Sequence, residues 1–121
     1  GDRLAFITRA REPGEGLLDM PGGFVEPEES VEDAVVREVL EETGIAVSAP
    51  RFLFSLPNRY IYHSFNYSTV DIFFEFRIDE PPAFVPNEEA VALHWLRVAD
   101  VDPAKVAFAS VREALRRIGR R

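Results

Sequence analysis

Apolar and polar residues alternate in several short segments of this chain, and such alternation predicts β-strands. The clearest case is residues 69–78, TVDIFFEFRI, which we expect to be a central strand of a sheet. Further strand character is present at residues 3–8, 17–25, 51–56 and 91–98. We expect the segment that begins at residue 51 to end before Pro57, because proline interrupts strand pairing.

Two segments have helical signals instead. Ser30 fits a helix N-cap with Asp33 in the capping-box position, and Gly44 fits the residue that ends a helix, so a helix of about 13 residues is predicted between them. A last helix is expected to start at Pro103, capped by Asp102. Its apolar stripe comprises Phe108, Val111, Leu115 and Ile118. The order of the elements predicts an α/β protein of the α+β type, with a mixed sheet and helices packed on it.

Length and composition favour one globular domain over residues 1–121, of which 46% are apolar. The chain starts without methionine, close to a predicted strand, and we therefore expect further residues upstream. Cysteine is absent, which excludes disulfides and thiolate metal sites. No apolar run approaches the roughly 18 residues of a membrane span. We expect a cytoplasmic protein.

The formal net charge is −7 and the sequence pI is about 4.8. The averaged field of such a chain repels nucleic-acid backbones and anionic lipid surfaces. We therefore expect neither nucleic acid nor membrane as a partner. A small phosphorylated ligand remains compatible with this charge if a cation lies between it and the protein.

Much of the negative charge lies in residues 22–45, which contain eight carboxylates and one basic residue, Arg37. Glu38, Glu41 and Glu42 are spaced i, i+3 and i+4, so they share one face of the predicted helix. Each like-charged pair costs about 0.2–0.5 kcal/mol on an exposed helix. A hard divalent cation such as Mg²⁺ or Mn²⁺ would compensate for this repulsion. The spacing by itself leaves open a solvated acidic face.

The same segment fits the signature G-x5-E-x7-R-E-U-x-E-E-x-G-U, where U is an aliphatic residue. The matching positions are Gly23, Glu29, Arg37, Glu38, Val39, Glu41, Glu42, Gly44 and Ile45. This pattern resembles the Nudix hydrolase family. The resemblance implies a mixed sheet sandwiched between helices, and Mg²⁺- or Mn²⁺-dependent hydrolysis of a nucleoside diphosphate linked to another moiety. ADP-ribose, a nucleotide sugar or a dinucleotide would be such a substrate.

The resemblance also implies roles for single residues. The metal ligands would be the carboxylates of Glu38, Glu41 and Glu42, together with the backbone carbonyl of Gly22 or Gly23. Glu29 and Arg37 would support them, with Arg37 orienting the glutamates through charge-assisted hydrogen bonds.

A carboxylate must also accept the proton of the attacking water. Glu38 is one candidate. Members of this family often add a glutamate from the loop before a late strand, and Glu88 and Glu89 lie in a comparable place here. The alternative is that both belong to a solvated loop.

Aromatic residues are dense in residues 54–71, after the signature. Tyr60 and Tyr62 are candidates to stack on a base, and Arg59 is a candidate to contact phosphate or ribose. Asn58 is a further candidate for substrate binding. The alternative is a hairpin or loop whose aromatic side chains cover the edge of the sheet.

Other functions stay open at this stage. Ser55 and Pro57 are all that remains here of the longer motif of NADH-diphosphatase members, so NADH specificity is not implied. A domain that senses ADP-ribose-type ligands without catalysis would be expected to lose signature glutamates, and this chain keeps them. A (d)NTP pyrophosphohydrolase is a further alternative. The sequence also leaves open the choice between Mg²⁺ and Mn²⁺ and whether a homodimer builds the pocket.

Overall fold

The computed structural model describes residues 2–120. The strands are β1 (Arg3–Arg9), β2 (Leu18–Asp19), β3 (Arg51–Tyr62), β4 (Phe65–Glu75) and β5 (Ala90–Arg97), and the helices are α1 (Val31–Thr43) and α2 (Ala109–Gly119). Short 3-10 turns occupy Val98–Asp100 and Pro103–Lys105. Across residues 2–120, neither helix has the length and apolar character needed to cross a bilayer.

The strands form two separate pairings. One sheet has the order β2-β1-β5, and both of its pairings are antiparallel. An isolated parallel bridge joins Leu18 of β2 to Val106. β3 and β4 form a two-stranded antiparallel hairpin. The predicted α+β class, with mixed strand directions, is confirmed.

The core forms around β1. Phe6 and Ile7 are both buried, and neighbouring residues of a strand point to opposite faces, so both faces of β1 are covered. Phe6 packs in one cluster with Val111 and Leu115 of α2. α1 contacts β5. The sheet therefore carries helices on its faces, as the family resemblance implied.

Both ends of α1 are formed as the sequence predicts. The Ser30 hydroxyl accepts a hydrogen bond from the Asp33 N–H at 3.0 Å, which caps the first turn. Gly44 takes a left-handed conformation with φ 76°, and its N–H donates to the Leu40 carbonyl at 2.9 Å. The helix is 13 residues long, so the acidic residues of the signature have the spacing that was inferred.

The expectation of a central strand at residues 69–78 is wrong. β4 starts earlier, ends at Glu75, and within the described residues pairs with β3 alone. Val70 is 68% exposed, so its face is not covered as in a central strand. The apolar pattern instead reflects cross-strand aromatic pairs such as Phe54 with Phe73, whose ring centroids are 5.4 Å apart.

The predicted end of the preceding strand before Pro57 is also wrong. β3 continues through Pro57 to Tyr62, with Pro57 opposite Val70. Each strand of a two-stranded sheet has one unpaired edge, where a residue without an N–H leaves no bond unmade. The proline therefore does not end the strand.

The last helix begins later than predicted. Asp102 caps the 3-10 turn at Pro103–Lys105, with its carboxylate accepting from the Ala104 N–H at 3.0 Å. The chain then extends, because Val106 bridges to β2 and the Ala107 N–H donates to the Leu18 carbonyl at 2.8 Å. α2 starts at Ala109, and Phe108 is its N-cap residue and not part of its stripe.

Candidate metal and catalytic centre

Arg37 of α1 is the hub of an ion-pair network. Its Nε and Nη2 donate to the two carboxylate oxygens of Glu29 at 2.7 and 2.9 Å. Its Nη1 donates to Glu38 at 2.8 Å and to Glu41 at 3.2 Å, and Nη2 also reaches the Phe24 carbonyl at 3.2 Å. One guanidinium thus contacts three carboxylates and the loop before the helix. These contacts are consistent with the predicted role of Arg37 in orienting the glutamates.

The pKa values of Glu29, Arg37 and Glu38 depart from their ordinary values. Hydrogen bonds from Arg37 hold the pKa of Glu29 at about 2, and the same pair raises the pKa of Arg37. The pKa of Glu38 is raised, first by burial, and the charges of Glu41 and Glu89 add to this against the attraction of Arg37. Glu29 is therefore ionised at neutral pH, whereas Glu38 is more buried and has other negative charges near it.

Glu42 is the most buried acidic side chain of the site, at 4% exposure. Its Oε2 accepts a hydrogen bond from the Gly22 N–H at 3.0 Å. Burial raises the pKa of Glu42 to about 8, and the charges of Glu38, Asp19 and Glu89 contribute in the same direction. A cation beside this carboxylate would lower its pKa, because opposite charge favours the ionised form.

Gly23 lies against the head of Glu38. A Cβ at Gly23 would come within 2.5 Å of the Glu38 Cδ, a distance that side chains do not tolerate. At the neighbouring Gly22 a Cβ would meet nothing within 4 Å. The contact between backbone and carboxylate therefore requires glycine at Gly23, in agreement with the prediction of a bare backbone beside the helix.

The donor set fits Mg²⁺ or Mn²⁺, since both prefer oxygen ligands and the site offers carboxylates beside a side-chain-free backbone. In the described chain, residues 2–120, no three acidic or histidine side chains converge closely enough to form a metal cage. Glu38 and Glu41 are directed to Arg37, and Glu42 is directed to the Gly22 N–H. The ligand roles assigned to these residues, Gly22 and Gly23 therefore stay predictions.

The two glutamates of the loop before β5 differ in their surroundings. Glu88 is directed outward, where its carboxylate meets Arg11 at 3.0 Å and is 90% exposed. Glu89 lies 3.5 Å from the same guanidinium, and its charge acts on both Glu38 and Glu42. The structure thus brings Glu89, and not Glu88, towards the acidic residues of α1.

Sequence reasoning missed Asn87. Its Nδ2 donates to the Glu42 carbonyl at 2.8 Å, and its Oδ1 accepts from the N–H groups of Glu89 and Ala90 at 2.9 and 3.0 Å. Asparagine before a turn is a recognisable local signal. The bond to Glu42 joins residues 45 positions apart, and no local signal indicates it.

An aromatic cluster adjoins the signature loop. The Tyr60 ring lies edge-on to Phe24 at 5.1 Å and stacks near Phe108 at 5.8 Å and Tyr62 at 6.4 Å. Phe24 directly follows Gly23 in the chain, so the cluster is next to the acidic centre. The segment forms a hairpin, one of the two forms that the alternative interpretation allowed, and the roles of Tyr60 and Tyr62 in substrate binding stay predictions. Phe24 and Phe108 are members of the cluster that the sequence did not indicate.

The other two substrate candidates are placed differently. Strand alternation puts Asn58 on the same face of β3 as Tyr60, with its carbonyl accepting from the Thr69 hydroxyl at 3.4 Å. Arg59 is exposed and lies on the opposite face, next to Ser68 of β4. The structure therefore does not bring Arg59 together with the aromatic cluster.

A partly buried ion pair adjoins this cluster. The Arg9 Nη1 is 3.0 Å from the Asp19 Oδ2, and the Arg9 guanidinium lies 5.0 Å from the centre of the Phe108 ring. Burial raises the pKa of Asp19 to about 6, although the pairing with Arg9 lowers it. Sequence reasoning assigned no role to this pair, whose two members lie on β1 and β2.

Comparison with known proteins identifies the family. A model of the NUDIX domain matches residues 1–118. The chain belongs to the Nudix family. Similar proteins include an ADP-ribose pyrophosphatase from Methanocaldococcus jannaschii, 43% identical over 60 residues, and an NAD-capped RNA hydrolase NudC from Escherichia coli O1:K1, 35% identical over 98 residues.

The Nudix relatives differ in how much of each chain is aligned. The two alignments cover 48% and 81% of this chain but only 36% and 35% of the relatives, so the chain spans about a third of their length. A solved MutT NUDIX hydrolase from Burkholderia pseudomallei is 30% identical with a TM-score of 0.76, covering 95% of this chain and 87% of that one. Their names as hydrolases and pyrophosphatases support the predicted class of a Nudix pyrophosphohydrolase.

Proposed function

We propose that this Nudix domain hydrolyses the diphosphate linkage of a nucleoside diphosphate joined to another moiety, with ADP-ribose as the first candidate. The observation that carries the proposal is the Arg37 network, which holds Glu29, Glu38 and Glu41 around one guanidinium, with Glu38 against the bare backbone of Gly23. The similarity to an ADP-ribose pyrophosphatase over 60 residues supports this choice of substrate.

Glu38, Glu41 and Glu42 would hold Mg²⁺ or Mn²⁺, with the carbonyl of Gly22 or Gly23 as a further ligand. When bound, the cation supplies neutralisation of phosphate charge and lowers the pKa of water. Three carboxylates carried on one face of α1 are suited to this, because their mutual repulsion falls when positive charge is added.

The proton of the attacking water needs an acceptor near the phosphate. Glu38 and Glu89 are the candidates, since the charge of Glu89 acts on Glu38. Glu88 is exposed and paired with Arg11, which makes it the weaker candidate. Glu29 and Arg37 would keep the heads of the signature glutamates in place and would not contact the substrate.

The aromatic cluster of Phe24, Tyr60, Tyr62 and Phe108 would receive the base. Phe24 is 60% exposed and Tyr62 is 43% exposed, so flat aromatic surface is available beside the acidic centre. Stacking on such surface contributes about 1–3 kcal/mol per base. A base at this cluster would bring the diphosphate of its nucleotide towards the signature glutamates.

A dinucleotide is the second candidate substrate. The similarity to an NAD-capped RNA hydrolase extends over 81% of this chain, which favours including NAD in any substrate test. A (d)NTP substrate and a non-catalytic ADP-ribose sensor are the remaining alternatives. The sensor is disfavoured by the presence of all three signature glutamates.

The deciding experiment compares the wild-type protein with Glu42→Gln and the control Glu32→Gln. ADP-ribose, NAD, a nucleotide sugar and dNTPs are incubated with Mg²⁺ or Mn²⁺, and the released phosphoryl products are measured. We expect turnover to fall at least about 100-fold in Glu42→Gln, since the amide keeps the acceptor for the Gly22 N–H but brings no charge. Glu32 is exposed on the same helix, and its variant should retain wild-type turnover.

Three outcomes distinguish the alternatives. Absence of wild-type turnover on the whole panel, together with ADP-ribose binding, would support the sensor. Turnover confined to dNTPs would support the pyrophosphohydrolase alternative. Normal turnover by folded Glu42→Gln would contradict the assignment of Glu42 as a ligand.

A further inference from the structure

Asn87 connects the two segments that carry the acidic residues of the site. Its side-chain amide donates to the backbone carbonyl of Glu42 at 2.8 Å, at the end of α1. Its side-chain oxygen accepts from the backbone N–H groups of Glu89 and Ala90 at 2.9 and 3.0 Å, at the start of β5. One side chain therefore ties together the backbones of two carboxylate residues.

The bond to α1 satisfies a group that the helix leaves unpaired. The last carbonyls of a helix have no donor within it, and the Glu42 carbonyl belongs to that set. Glu42 is buried and closely packed, so its backbone has little freedom to move. A hydrogen bond to its carbonyl therefore holds the loop in one position relative to α1. The loop is thus anchored at a position one residue from the helix end.

The remaining attachments of Glu89 are weaker or do not reach α1. Its carbonyl accepts from the Ala10 N–H at 3.0 Å, which fixes the loop to the end of β1. Its carboxylate is 3.5 Å from the guanidinium of Arg11, a side chain that is 53% exposed. Exposed ion pairs hold a geometry poorly, and this one joins Glu89 to Arg11 and not to α1.

We propose that Asn87 is a positioning residue of the hydrolytic reaction, which sets the distance of the Glu89 carboxylate from Glu38 and Glu42. This inference rests on the proposed function. The charge of Glu89 already acts on both glutamates, so a shift of the loop changes the field in which they bind a cation. Asn87 itself would touch neither substrate nor metal, because its side-chain amide is used by four backbone groups, those of Glu42, Val85, Glu89 and Ala90.

The test uses Asn87→Ala, Asn87→Asp, Glu89→Gln and the double variant Asn87→Ala/Glu89→Gln. Asn87→Asp keeps the oxygen that accepts from the loop but loses the donor to Glu42. The control is Asn66→Ala, an exposed position on the hairpin face opposite Tyr60. For each protein, kcat and KM are measured on the best substrate, Mn²⁺ affinity is measured by titration, and the folded fraction is measured by thermal melting.

We expect both Asn87 variants to lose about tenfold or more in kcat per folded molecule, with KM within about threefold of wild type. The double variant should be about as slow as Glu89→Gln alone, because Asn87 acts through that residue. A merely structural role would lower the melting temperature, leave kcat per folded molecule unchanged, and add to the effect of Glu89→Gln. That result, or wild-type kcat in Asn87→Asp or in Glu89→Gln, would overturn the proposal.

Failure of the proposed function is recognised separately, by absent turnover in the wild-type protein. In that case Mn²⁺ affinity decides: a loss of about threefold or more in both Asn87 variants supports the inference, and equal affinity or no wild-type binding overturns it. If neither variant folds, amide hydrogen exchange of the wild type decides. Exchange at Glu89 and Ala90 about tenfold slower than at Glu88 supports the bonds from Asn87, and equal exchange contradicts them.

Discussion

At the scale of single residues, the two adjacent glycines of the signature loop provide a matched comparison. A methyl group at Gly23 would meet the Glu38 carboxylate at 2.5–2.7 Å, whereas one at Gly22 would meet nothing within 4 Å. We expect Gly23→Ala to displace Glu38 and lower turnover about 10- to 100-fold, the usual effect of disturbing the groups that support a metal site. Turnover and Mn²⁺ affinity are the measurements.

Gly22→Ala serves as the reference for this prediction. It keeps the N–H that donates to Glu42 and the carbonyl predicted as a ligand, so its loss of turnover should be at least about tenfold smaller. Neither variant should lose the fold, since neither glycine has a positive φ. Equal activities of the two variants would contradict the contact between Gly23 and Glu38.

Residue-level reasoning from the sequence succeeded where the signal is local. The cap at Ser30, the left-handed Gly44 and the spacing of the signature glutamates along one helix all follow from residues a few positions apart. It missed Asn87 and Phe24, whose partners Glu42 and Tyr60 are distant in sequence. Such contacts depend on how elements pack, which a single sequence does not specify.

At the scale of elements, the hairpin of β3 and β4 shows both the strength and the limit of pattern reasoning. Alternation identified the strands, yet it also made β4 look central, because aromatic side chains paired across a hairpin give the same alternation as a strand with one face on the core. The proline at position 57 suggested an end, but an unpaired strand edge accommodates it. Element type was therefore predictable, whereas element neighbours and ends were not.

Tyr60 of β3 allows the proposed binding of the base to be tested. If Tyr60 stacks on the base, Tyr60→Ala should raise KM about 5- to 100-fold, corresponding to the roughly 1–3 kcal/mol of a stacked base, with a smaller change in kcat. Tyr60→Phe keeps the ring and should stay near wild type. Ile61→Ala, on the opposite face and exposed, is the control for any loosening of the hairpin.

Steady-state kinetics on the best substrate, with thermal melting to confirm folding, tests this prediction. A KM for Tyr60→Ala equal to that of Ile61→Ala would place base recognition away from the cluster. A fall in kcat without a change in KM would indicate that Tyr60 supports the catalytic centre through Phe24 and does not hold the substrate.

At the scale of the whole molecule, buried carboxylates determine how stability responds to pH. Asp19 of β2 contributes to this pH dependence, because its pKa is raised from 3.8 to about 6 in the folded protein. The folded protein then binds more protons than the unfolded chain between these two values, so the free energy of unfolding falls as pH rises through this window. The contribution from Asp19 amounts to about 3 kcal/mol at most, from a shift of about two pKa units.

Asp19→Asn removes this titration while its amide oxygen keeps the acceptor for the Met20 N–H. We therefore expect urea denaturation between pH 4.5 and 7.5 to show a shallower decline for the variant than for the wild type, with the titration of Asp19 shifting the stability difference by about 2 kcal/mol over this range. The measured shift in stability should be larger than the contribution of Asp19 by itself. Its charge also raises the pKa of the buried Glu42, and the substitution removes that charge. Asp79→Asn, in an exposed loop, should run parallel to the wild type. Parallel profiles for Asp19→Asn would mean that the pairing with Arg9 offsets burial and keeps Asp19 ionised throughout this range.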